Sequence, residues 1–214
     1  MSAFAAVVLD MDSTIVSVEG IDWLAKLRDA RVAREIEALT ARAMDGTIEL
    51  DSVYGERLAL IRPDAREVAE LANVYEESLA PGAREVVVEM RAAGIRLAIV
   101  SGGIREAILP AARSLGLADC DVHAVAIRFD AEGAYTGFDA TSPLITQNGK
   151  AAVVSALALP RPTLAVGDGS TDAAMKPAVD AFAAYTEFVR RDAVVAAAQH
   201  ELRSFYDLRE MVLA

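Results

Sequence analysis

The chain opens on an apolar run, AFAAVVL, that stops at Asp10. It is short for a helix and rich in valine, so it predicts a buried strand. From Val18 to about Ala80 the pattern changes. Ile21, Leu24, Leu27, Val32, Ile36 and Leu39 recur at helical spacing, with Arg, Glu and Asp between them. That spacing predicts helices with one apolar face. SVYGERLALI and AREVAELANVYEESL continue the pattern. No strand is expected in this block, and Pro81-Gly82 closes it.

Beyond Pro81 strands and helices alternate. AREVVVEMRAAG predicts a helix ending at Gly94. IRLAIV predicts a buried strand running into Ser101-Gly102-Gly103. A helix follows, kinked or restarted at Pro110. VHAVAIRF, the turn residues DAEG and AYTGF predict a hairpin. GKAAVVSALAL predicts a helix, and TLAV a strand running into Gly167-Asp168-Gly169. A short helix, the strand DAFAAY and a C-terminal helical stretch complete the pattern. Such alternation predicts an α/β fold, a Rossmann-like parallel sheet with helices on both faces. The helical block then interrupts one core, leaving residues 1–15 and 81–214 as the core and 16–80 as an inserted helical domain.

The 214 residues suit one core carrying an insert. Hydrophobic residues make up 54% and charged residues 25% of the chain, a composition that folds. Lys and Arg number 21 against 32 Asp and Glu, a net charge of −11. Non-specific partners such as nucleic acid or an anionic membrane are therefore not expected. A small anionic substrate stays open, because a site can be locally positive. Cys120 is alone, so no intramolecular disulfide is possible, and with only His123 and His200 it cannot complete a zinc cluster. Asp10 and Asp12 interrupt the apolar N-terminus, and no apolar run suits a membrane span. A soluble, cytoplasmic protein is expected, with no domain ahead of the first strand. Pairing of two copies as a homodimer is left open.

Three predicted strands end in polar clusters: Asp10-Met11-Asp12-Ser13-Thr14, Ser101-Gly102-Gly103, and Gly167-Asp168-Gly169-Ser170-Thr171-Asp172. Each cluster alone reads as a turn or a helix cap. Parallel strands, however, bring all three to one edge, where open α/β sheets bind ligands. Asp10, Asp12, Asp168 and Asp172 would then share a small volume and repel. A hard divalent cation with oxygen ligands would relieve that, and Mg²⁺ is the usual one beside phosphate. Lys150 falls in the first turn of its predicted helix, where the macrodipole disfavours a cation. This placement suits a lysine held toward an anion at the sheet edge.

DMDST, VSGG, the lysine of NGK, and GDGSTD resemble, in that order, the four motifs of the haloacid dehalogenase superfamily. VEGIDWLA, AMDG, ERLALIRP and GFD resemble its phosphoserine phosphatase branch, over nearly the whole chain. The resemblance implies a helical cap on the core and Mg²⁺-dependent hydrolysis of O-phospho-L-serine through an aspartyl-phosphate, a reaction of serine biosynthesis. It implies that Asp10 is the nucleophile and Asp12 the general acid and base. Mg²⁺ would sit on Asp10, the Asp12 backbone carbonyl and Asp168, with Asp172 close by. Ser101 and Gly102 would hold phosphate oxygens, and Lys150 would neutralise charge on Asp10 and the phosphoryl group. Arg57 matches the arginine that grips the substrate carboxylate, and Glu19 the acid that receives its ammonium. Met44, Gly103 and Thr171 fall where the family lines the pocket. Leu50 and Ile104 stand where phenylalanine is common. Two alternatives remain open at this point: action on another small phosphomonoester such as phosphohomoserine, and a non-catalytic ligand-binding homologue.

Overall fold

A computed structural model describes residues 3–44, 47–48 and 53–214. The opening run forms β1 (Ala6–Leu9), buried at every position. Consecutive strand residues face opposite sides, so such burial means that both faces of the sheet are covered. Parallel partners β2 (Arg96–Ile104) and β6 (Thr163–Gly167) flank β1. With β3 (Val122–Val125), β7 (Ala181–Tyr185) and β8 (His200–Leu202) they make one parallel sheet, in the order β3-β2-β1-β6-β7-β8. The helical block supplies α1 (Gly20–Ala25), α2 (Ala30–Met44), α3 (Tyr54–Ile61) and α4 (Ala65–Glu77). Between the strands run α5 (Ala83–Ala92), α6 (Arg105–Ser114) and α7 (Gly149–Ala156). The hairpin β4 (Ile127–Phe129) and β5 (Tyr135–Phe138) stands apart from the main sheet. Short helices α8 (Ser170–Ala173) and α9 (Asp192–Ala197) follow, and α10 (Phe205–Leu213) packs against α5. Among the described residues, no helix is long and apolar enough to cross a membrane.

The helical block leaves and returns at one point. Ser17 N–H donates to the Ser78 carbonyl at 2.9 Å, and Ala80 N–H to the Ile15 carbonyl at 2.8 Å. Val16 and Leu79 form an antiparallel bridge between them. Within the block, the apolar series Ile21–Leu39 divides into two helices. Asp29 starts the second, accepting from the N–H groups of Arg31 (2.9 Å) and Val32 (3.1 Å). Leu27 falls in the joint and is largely exposed.

Three expectations need correction. VHAVAIRF is not one strand: VHAV joins the main sheet beside β2, and only IRF pairs with YTGF. The C-terminal stretch is not all helical, because HEL forms the edge strand β8. Three residues with two polar side chains carry too little pattern to announce a strand. Of the two readings of Pro110, a kink or a restart, the restart is excluded, since α6 runs through it from Arg105 to Ser114. Burial of Ala107, Ile108, Ala111 and Ala112 on one face holds the helix across the missing N–H.

Glu67 ties the block together internally. Its backbone N–H donates to Asp64 at 2.7 Å, and its carboxylate accepts from the Asp64 N–H at 3.0 Å, a reciprocal cap on α4. The same carboxylate receives both terminal nitrogens of Arg28 at 2.7 Å. The Arg28 hydrogen bonds hold the Glu67 carboxyl below its ordinary range. Glu67→Ala should therefore cost about 1–2 kcal/mol at neutral pH. A depressed folded value means the ionic part is present above the unfolded carboxylate pKa of about 4.3 and fades as pH falls through the folded one. Urea midpoints of wild type and Glu67→Ala, measured from pH 7 down to pH 3, should draw together in the acid range.

Candidate active site

The three polar clusters meet at the carboxyl edge of the sheet. Asp10 follows β1 directly, and its N–H extends the ladder to the Val166 carbonyl at 3.0 Å. The chain then turns widely through Met11–Ile15, closed by Val16 N–H on the Met11 carbonyl at 3.1 Å. Ser13 takes a left-handed backbone in this turn (φ 51°), and its hydroxyl donates to Glu19 Oε1 at 2.7 Å. Asp168 follows β6, and Asp172 folds back beneath it from α8. Only glycine permits this at residue 167, where a Cβ would lie 2.2 Å from the Asp172 carboxyl carbon. Asp172 Oδ2 accepts the Gly169 N–H at 2.9 Å.

Lys150, at the start of α7, reaches into this cluster. Its Nζ lies 2.7 Å from both Asp10 Oδ1 and Asp172 Oδ1. Burial alone would lower the lysine's pKa, but the charges of Asp10 and Asp172 more than reverse it, so Lys150 stays a cation. Burial and the Asp10 charge push Asp172 up to about 7 despite that pairing. Burial and Glu19 raise Asp168 well above the usual range, although Arg191 contacts it directly. Asp12 is raised well too, by burial, Glu19 and Asp10. Its Oδ1 accepts the Tyr75 hydroxyl at 2.6 Å and its Oδ2 the Gly20 N–H at 3.2 Å.

Among the described residues, carboxylate oxygens of Asp10, Asp168 and Asp172 come within 4.8 Å of one another. All three residues are buried, and the donors are all oxygen. That set fits a hard divalent cation, which would draw the raised carboxyls back to their charged forms. The Asp12 carboxylate is not part of the triad.

One cavity gathers Asp10, Asp12, Glu19, Arg57, Ser101, Gly102, Gly103, Lys150, Asp168 and Thr171. Every one of these was legible in the sequence. Ser101 Oγ accepts the Gly103 N–H at 3.0 Å, and a hydroxyl that accepts in this way can still donate its own proton to a ligand. Arg57 is buried in α3; its Nη1 donates to Thr40 at 2.9 Å, while Nε has no partner among the described residues. Thr40 in turn donates to Asp22 at 2.5 Å. Ile104 ends β2 in the core rather than at the cavity. Leu50 lies outside the described residues, as does the side chain of Met44 at the end of α2.

Ile21, Thr40 and Tyr54 also line the cavity and were not foreseen. Tyr54 donates to the Gly102 carbonyl at 2.8 Å, joining α3 to the Ser-Gly-Gly turn. Arg191, bound to Asp168 and 3.9 Å from Glu19, was missed as well. One signal pointed to it: it lies just past β7, at the same carboxyl edge as the three clusters. Tyr75 carried no signal, because its position looks like any apolar-face residue of α4.

A family model described as haloacid dehalogenase-like hydrolase matches residues 4–180. The chain is 34% identical over 206 residues to a phosphoserine phosphatase of Homo sapiens, covering 95% of this chain and 91% of that one. It is 36% identical over 208 residues to a chloroplastic phosphoserine phosphatase of Arabidopsis thaliana, covering 95% of this chain and 70% of that one. In structure it is similar to a phosphoserine phosphohydrolase-like protein from Francisella tularensis, with a TM-score of 0.88 at 25% identity. That match covers 96% of this chain and 98% of the other.

Proposed function

The chain belongs to the haloacid dehalogenase-like hydrolases, and within them we propose that it is a phosphoserine phosphatase. It would hydrolyse O-phospho-L-serine to L-serine and phosphate, a serine-forming step of amino-acid biosynthesis. One observation carries this reading. Glu19 and Arg57, of opposite charge, face the same cavity as Asp10 and Lys150. Such a cavity offers an anion for an ammonium and a guanidinium fork for a carboxylate, beside a nucleophile for a phosphoryl group.

In this reading an Asp10 oxygen attacks phosphorus, and the bond from phosphorus to the seryl oxygen breaks. Asp12 gives its proton to that oxygen as serine leaves. Asp12 then takes a proton from water, whose oxygen attacks the phosphorus and frees Asp10 and phosphate. Lys150, 2.7 Å from Asp10 Oδ1, neutralises charge on Asp10 and the phosphoryl group. Ser101 and the Gly102 backbone N–H cradle phosphate oxygens, and Gly103 and Thr171 line the pocket beside them. Mg²⁺ is the cation we assign; Asp10, the Asp12 carbonyl and Asp168 would hold it, with Asp172 close by. When bound, it supplies positive charge to the phosphoryl oxygens.

We further read residues 16–80 as a helical cap on a core of residues 1–15 and 81–214. The paired crossing at Ser17 and Ser78 supports it, because a unit joined at one narrow point can move as a body. Met44 would belong to that cap's lining. The negative charge and single cysteine suit a cytoplasmic enzyme.

The test compares Arg57→Ala with wild type on two substrates. Losing one partner of a charge-assisted pair should cost roughly 1.5–3 kcal/mol, or about 10- to 150-fold in kcat/KM on phosphoserine. Phosphoethanolamine lacks the carboxylate, so it should be a poor substrate that responds little to Arg57→Ala. Phosphate release measured with and without Mg²⁺ decides the matter. Equal losses on both substrates would reduce Arg57 to a support of the fold and remove the main argument for phosphoserine.

A further inference from the structure

Tyr75 is completely buried, and the mechanism above does not use it. It comes from α4, the last helix of the block, yet its hydroxyl lies 2.6 Å from Asp12 Oδ1. A buried tyrosine hydroxyl needs a partner, and many acceptors would serve. Here the partner is the carboxyl assigned to proton transfer. The backbone has made room for the contact: a Cβ on Gly20 would lie 2.0 Å from the Tyr75 oxygen. The Gly20 N–H meanwhile donates to the other oxygen, Oδ2, at 3.2 Å.

The two Asp12 oxygens therefore have different surroundings. Oδ1 is tied to α4 through a side chain, whereas the contact of Oδ2 with the helical block is one backbone N–H of α1. Oδ2 lies on the side of the phosphate cradle, 3.5 Å from where a Cβ on Gly103 would stand, with Ser101 Oγ 3.2 Å from that same point. A carboxyl free to rotate would present either oxygen, and a proton on the wrong one cannot reach the leaving group. We propose that Tyr75 is the positioning residue of Asp12, holding Oδ1 so that Oδ2 faces the seryl oxygen. This rests on the reading of Asp12 as general acid. It also makes the acid's orientation depend on the seating of α4.

Tyr75→Phe keeps the ring and removes only the hydroxyl. The phosphorylation step is read in the pre-steady-state burst of the Mg²⁺-loaded enzyme, with phosphoserine and with 4-nitrophenyl phosphate. Nitrophenolate leaves without needing a proton. Phosphorylation by phosphoserine should slow by about tenfold or more, a share of the roughly 10²- to 10⁴-fold that general acid catalysis supplies. The nitrophenyl reaction should stay within about twofold, and the phosphoserine KM should move little, because Tyr75 touches no substrate group. Gly20→Ala, which crowds the hydroxyl off Asp12, should reproduce the split. The double variant should be no slower than the worse single one. Equal slowing of both substrates, or no change in either, would overturn the proposal. A wild type that ignores phosphoserine but hydrolyses another alkyl phosphate would instead overturn the substrate assignment, and the same split read on that ester would still decide Tyr75.

Discussion

Replacing Asp10 by asparagine should lower turnover by several orders of magnitude and leave the protein folded. The amide nearly keeps the carboxylate's shape but has little nucleophilicity, so the covalent step is lost. The fold should not suffer, because Asp10 is one of three buried carboxylates crowded together, and Lys150 keeps Asp172 at 2.7 Å. Removing one of several close like charges relieves repulsion. Thermal unfolding of Asp10→Asn should thus lie at or above the wild-type midpoint while phosphate release vanishes. Trapping wild type with beryllium fluoride should place the adduct on Asp10. Near-normal Mg²⁺-dependent turnover in the variant would eliminate Asp10 as nucleophile.

Asp12→Asn should produce the second large loss, with a different signature. A seryl alkoxide is a poor leaving group, so its departure depends on a proton. Burial and the neighbouring charge of Glu19 raise the Asp12 carboxyl well above the usual range, which favours the protonated form needed for donation. Asparagine keeps acceptor and donor atoms for Tyr75 and the Gly20 N–H, yet has no transferable proton. Phosphorylation by phosphoserine should fall by about 10²- to 10⁴-fold. Burst-phase phosphorylation by 4-nitrophenyl phosphate should fall far less. The following hydrolysis should slow for either substrate, since the base is also lost, and phosphoenzyme should accumulate with the aryl ester. A proportionate fall in both phosphorylation rates would make Asp12 a structural or purely metal-linked residue.

Much of this site could be read from residue order alone. Asp10 with Asp12, the Ser101-Gly102-Gly103 turn, Lys150, and Asp168 with Asp172 each stand at a predicted strand end or helix start. Parallel topology carries all of them to one edge without further information. Glu19 and Arg57 were recognisable from the residues around them, and both face the cavity. The hairpin and the last strand were harder. VHAVAIRF has one continuous apolar character, and nothing local says that its first half pairs with β2 and its second half with β5.

Residue types, their periodicity and their order along the chain determined the layered fold, the helical block after β1 and the polar clusters at the sheet edge, because each of these depends on neighbours a few positions away. Tertiary structure alone decided which groups touch those clusters. Tyr75 meets Asp12 across 63 positions, Tyr54 meets Gly102 across 48, and Arg191 meets Asp168 across 23. Such contacts have no period in the sequence. They arise from where α3, α4 and the segment after β7 pack around the sheet edge, and burial then obliges each hydroxyl or guanidinium to take the partner that packing puts within reach.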